Sequence, residues 1–80
     1  MQRKEKEIIK SSFPIVWETL TSAEKIAIRS ELTQKMGISY RTVTNWSNGV
    51  QPVNIAMKKS AANIIGRVLG VQAPYLVLFP

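Results

Sequence analysis

Apolar residues fall at Val16, Trp17 and Leu20, then at Ile28, Leu32 and Met36, and again at Val43 and Trp46. Steps of three and four are the spacing of helical faces rather than the alternation of strands. Start and stop signals divide the pattern. Pro14 after Ser12-Phe13 suits a first helical turn, where a missing N–H costs nothing. Thr21-Ser22-Ala23-Glu24 is a capping box that opens a second helix, which can run to Met36 and stop at Gly37. The pattern allows either one long helix there or two separated by a kink near Arg29. Ser39 is a good N-cap for a helix from Tyr40 to Ser47, and Asn48-Gly49 ends it.

Beyond the Gln51-Pro52 connection, Ile55, Ala56, Ala61, Ala62, Ile64, Ile65, Val68 and Leu69 form a broad apolar stripe that closes at Gly70. Ala73-Pro74-Tyr75-Leu76 predicts one closing turn, with Leu78-Phe79 folding back as a plug. Only Tyr75 to Phe79 carries any strand pattern. The expected class is all-α, a compact bundle of four or five helices.

The turn Met36-Gly37-Ile38-Ser39 is the kind that joins two steeply crossing helices in a helix-turn-helix. Leu32, Met36 and Ile38 supply inward residues before the second helix, and Val43 and Trp46 supply them on it. At ~100° per residue, Arg41, Thr44, Asn45 and Asn48 then fall on the opposite, outward face. Arg pairs with guanine, Asn with adenine, and Thr donates, accepts or touches a thymine methyl. Tyr40 and Ser39 lie at the helix N-terminus, the end inserted deepest in this docking geometry and the end that favours a phosphate. Trp17 and Trp46, at helical spacing with apolar partners, are expected in the core rather than stacked on bases.

Charge strengthens the polyanion reading. The net charge is +6, and the acids are Glu5, Glu7, Glu18, Glu24 and Glu31. From Leu32 onward the charged residues are Lys35, Arg41, Lys58, Lys59 and Arg67, all positive. Neutralised phosphates that release counterions are the usual use of such a surface. Lys58 and Lys59 become phosphate candidates on charge alone. With no Cys and no His, thiolate metal sites, disulfides and imidazole chemistry are unavailable, and no nucleophile–base or paired-carboxylate set can be assembled. Gly37 lacks the Gly-rich surroundings of a P-loop. No apolar run approaches the ~20 residues that span a bilayer. Residues 1–11 read as a charged lead-in, a solvated tail or first turn in preference to a basic arm on DNA, and 12–80 as the domain.

Residues 29 to 49, Arg-Ser-Glu-Leu-Thr-Gln-Lys-Met-Gly-Ile-Ser-Tyr-Arg-Thr-Val-Thr-Asn-Trp-Ser-Asn-Gly, resemble the helix-turn-helix of the lambda-repressor-like family (Cro/repressor, or XRE type). The marks are Gly37 at the turn, Ile38-Ser39 after it, Val43 and Trp46 inside, and Asn48-Gly49 at the end. Pro52 and the Leu69-Gly70-Val71 … Leu78-Phe79-Pro80 ending agree more loosely. The resemblance implies that the helix from Tyr40 enters the major groove. Tyr40, Arg41, Thr44 and Asn45 would then approach bases, and Arg29 and Asn48 phosphates. The chain departs from the family pattern at Thr33, where Ala is usual, and at Arg29, where Gln is usual. It is also longer between Pro52 and Leu69-Gly70.

These readings converge on a bacterial or phage-type transcriptional regulator binding double-stranded DNA, cytoplasmic and nucleoid-associated when bound. It is expected to need no cofactor, metal or small-molecule ligand, and to act as a homodimer, with Tyr75 to Phe79 as the dimer-surface candidate. The second reading is a protein-interaction module, antitoxin- or adaptor-like, with a helix-turn-helix-shaped bundle and no base readout.

Overall fold

The computed structural model describes residues 9–80. The expectations for most of the charged lead-in fall on residues 1–8, outside the described part. Five helices follow in order: α1 (Phe13–Thr19), α2 (Ser22–Met36), α3 (Tyr40–Ser47), α4 (Ile55–Leu69) and α5 (Tyr75–Leu78). The all-α expectation holds, and α2 is a single helix through Arg29.

Local chemistry accounts for most helix ends. Pro14 occupies the first turn of α1. Thr21 Oγ1 accepts the Glu24 N–H at 3.1 Å while Glu24 Oε1 accepts the Thr21 N–H at 3.0 Å, so the capping box is complete. Asn54 Oδ1 caps α4 by accepting the Met57 N–H at 2.8 Å. Gly37 and Gly70 end α2 and α4 with φ of 69° and 70°, in the left-handed region where a Cβ is penalised.

Packing ties the helices into one core. α2 lies along α4, with Ala27 and Glu31 facing Ile64 and Val68 while Lys35 and Met36 face Ala56 and Met57, so the two run antiparallel. α3 packs on α1 and α2, and α5 packs on α4. Ile28 and Leu32 of α2, Val43 and Trp46 of α3, and Ala61, Ala62, Ile65 and Leu69 of α4 are buried together. Phe13, Trp46 and Phe79 join them as an aromatic chain, Phe13 to Phe79 at 5.6 Å and Trp46 to Phe79 at 5.8 Å between ring centroids.

Two expectations need correction. The apolar stripe of α4 does not begin at Ile55 and Ala56, which are exposed; in the first turn it is Met57 that packs against the core. Trp17 is only half-buried: it meets the Phe13 ring in a T-shaped contact at 5.5 Å and also has the cationic ends of Lys25 and Arg29 at 5.9 Å and 5.6 Å from its ring centroid.

The packing also reaches behind Ser12. The Ile9 N–H donates to the Gln72 carbonyl at 2.9 Å, and the Ile9 side chain rests against the core. No helix among the described residues is long and apolar enough to cross a membrane.

Candidate nucleic-acid interface

α3 is eight residues long and divides cleanly into two sides. Val43 and Trp46 are buried, and their burial decides which residues remain outside. Tyr40, Arg41, Thr44, Asn45 and Asn48 are all exposed. Arg41, Thr44, Asn45 and Asn48 are therefore brought to one outward surface, as their spacing requires.

Both ends of α3 are held by hydrogen bonds. Ser39 Oγ accepts the Thr42 N–H at 3.2 Å and also lies 3.2 Å from Thr42 Oγ1. The Ser39 side chain is thus engaged in the cap, and what this end offers outward are the unpaired first N–H groups that every helix start leaves. At the other end the Asn48 N–H donates to the Thr44 carbonyl at 3.1 Å, and the Val50 N–H donates to Asn45 O at 3.0 Å. Gly49, at φ 108°, makes that reversal possible. Asn48 therefore serves first as the helix stop, with its side chain directed to solvent.

The α2–α3 connection spans only Gly37 to Ser39. Ile38 and Met36 pack against the core and hold it down. Thr33 is half-buried on α2 and donates its hydroxyl to Ser30 O at 3.0 Å. That bond satisfies the Thr33 hydroxyl within α2.

Arg29 is partly buried. Its guanidinium carbon lies 5.6 Å from the Trp17 ring centroid and 5.6 Å from that of Tyr40. Arg29 thereby links α1, α2 and the first residue of α3. Lys25, one turn earlier, places its Nζ 5.9 Å from the same Trp17 ring. Sequence reasoning missed Lys25 and the role of Trp17. The i, i+4 spacing of Lys25 and Arg29 was visible, but only folding of α1 against this side of the bundle brings the indole to them.

Lys58 and Lys59 stand apart from this group. Both lie on the first half of α4, and Lys59 Nζ sits 5.5 Å from the Tyr75 ring of α5. The candidate dimer surface is also reduced. Leu78 and Phe79 are 1% and 2% exposed, so of Tyr75 to Phe79 only Leu76 stands well out from the surface. The larger exposed apolar group is Val50, Val53 and Ile55, just after α3. Among the described residues there is no cluster of acids able to hold a metal ion.

No protein-family model, curated protein or solved structure matches the chain. The functional reading therefore rests on the chemistry of this surface.

Proposed function

We propose that the protein binds double-stranded DNA sequence-specifically, with α2 and α3 acting as a helix-turn-helix of the lambda-repressor-like kind and α3 entering the major groove. The observation that carries the reading is the outward side of α3: Arg41, Thr44 and Asn45 are all exposed, with no acid on the helix to repel a phosphate. Arg41 pairs with guanine and Asn45 with adenine, each good bidentate contact being worth about 1–3 kcal/mol of discrimination. Tyr40 and Thr44 lie along the same approach. Arg29, Asn48 and the N-terminal end of α3 at Ser39 hold the backbone, and Lys58 and Lys59 add charge beyond the groove. A helix this short covers few base pairs, so the protein works as a homodimer on a two-fold site. In this reading it is a transcriptional regulator of bacterial or phage type.

Selection of bound fragments from a random duplex pool, followed by binding measurements across salt concentrations, tests the proposal. A consensus should emerge, and affinity should fall log-linearly with salt. Alanine at both Arg41 and Asn45 should abolish the sequence preference while salt-sensitive binding remains. An unchanged preference in that variant would sink the assignment of α3.

The exposed Val50, Val53 and Ile55 favour a second reading, a protein-interaction module. Its complex should be nearly indifferent to salt and indifferent to Arg41 and Asn45.

A further inference from the structure

Lys25 and Arg29 are like charges one turn apart on α2, an arrangement that by itself costs stability. Both nonetheless converge on one indole, at 5.9 Å and 5.6 Å from the Trp17 centroid. Neither forms an ion pair among the described residues. The acids of α2 are otherwise engaged: Glu24 closes the capping box and Glu31 pairs with Lys35 at 3.6 Å. Arg29 carries a second peculiarity, since its Nε is buried without a hydrogen-bond partner, the only such side-chain atom among the described residues. Two uncompensated cations held over aromatic rings, one with its inner edge already desolvated, form a site prepared for an anion.

We propose that Trp17 is a positioning residue for a DNA backbone phosphate. Its ring holds Lys25 and Arg29 together, so that the outer guanidinium nitrogens of Arg29 and the ammonium of Lys25 grip one phosphate beside Tyr40. Lys25 is thereby a phosphate ligand additional to those on α3. The ring of Tyr40, also over Arg29, is steadied at the N-terminus of α3 by the same stack. Trp17 itself touches no nucleotide. This inference rests on the DNA-binding reading.

The test uses the full chain and a duplex obtained by selection, with affinity followed by fluorescence anisotropy over a range of salt, and thermal unfolding measured in parallel. Lys25→Gln should lower the slope of log affinity against log salt by about one, the signature of a lost phosphate contact. Trp17→Leu should weaken binding about three- to fivefold, the weight of a partly exposed cation–π contact, and should also flatten the slope. Trp17→Phe, which keeps a ring under the cations, should restore both. Unchanged affinity and slope in Lys25→Gln and Trp17→Leu would overturn the inference while the DNA reading stands. So would a Trp17→Leu defect that tracks lost thermal stability at constant slope, or that Trp17→Phe does not rescue. Failure of the unaltered protein to bind any duplex would remove the DNA reading and this inference with it.

Discussion

The Trp46 indole meets the Phe79 ring edge-on at 5.8 Å, joining the inner side of α3 to the residue after α5. The orientation of α3 is therefore set by a contact thirty-three positions away along the chain as well as by its neighbours in the turn. Because Phe79 also meets Phe13 of α1 at 5.6 Å, one ring holds both the start of the bundle and α3 in place.

Phe79→Ala should destabilise the fold by about 3–5 kcal/mol, the usual cost of deleting a buried aromatic. Denaturant unfolding measures the loss, and Trp46 emission should shift to the red in the folded state as its neighbour is removed. A loss below about 1 kcal/mol would mean that Phe79 is not a core residue.

Gly66 lies where α4 passes closest to the following segment. A Cβ there would sit 2.8 Å from the Val71 carbonyl oxygen and 3.2 Å from Ala73 Cβ. The obstacle is backbone, which itself is tied down by the Val71 N–H donating to Gly66 O at 3.0 Å. Gly66→Ala should therefore cost about 1–2 kcal/mol net, despite Ala being the better helix former. A stability equal to or above that of the unaltered protein in thermal melts would contradict this.

Gly37 presents the opposite case, with open space around it and a φ of 69°. Gly37→Ala should cost about 1 kcal/mol from backbone strain alone, and Gly37→Asn less, because Asn tolerates the left-handed region. Equal costs for the two variants in chemical denaturation would show that something other than φ governs the turn.

Ser39→Ala removes the acceptor for the Thr42 N–H and should cost about 1 kcal/mol. Ser39→Asp should keep the cap but place a negative charge where the DNA reading puts a phosphate. It should hold thermal stability and weaken duplex binding, most strongly at low salt. Duplex binding unaffected by Ser39→Asp would argue against a phosphate at this helix start.

Much of the bundle was legible in the sequence because its helix ends are made by local chemistry. The Thr21–Glu24 box, Gly37, Ser39, Asn48-Gly49 and Gly70 each act within a few residues of themselves, so a one-dimensional reading reaches them. The outward side of α3 was legible for a related reason: once Val43 and Trp46 are inside, helix geometry assigns Arg41, Thr44 and Asn45 to the other side. The stripe of α4 was misread at its start, since the pattern records apolar residues without recording whether a neighbour covers them. Ile55 has no cover.

What the sequence by itself determined, then, is a set of helices with their ends and the identity of one polar, acid-free surface. Only the tertiary structure decided which side chains from different helices meet. Leu78 and Phe79 fold back into the core as the sequence led one to expect, but only the packing placed the Phe79 ring against both Phe13 of α1 and Trp46 of α3. It also set Trp17 of α1 beneath Lys25 and Arg29 of α2, and Arg29 beside Tyr40 of α3. Such contacts depend on how separate helices pack, a long-range choice made by the shared burial of Phe13, Ile28, Val43 and Ile65, and periodicity along a single segment carries no record of it.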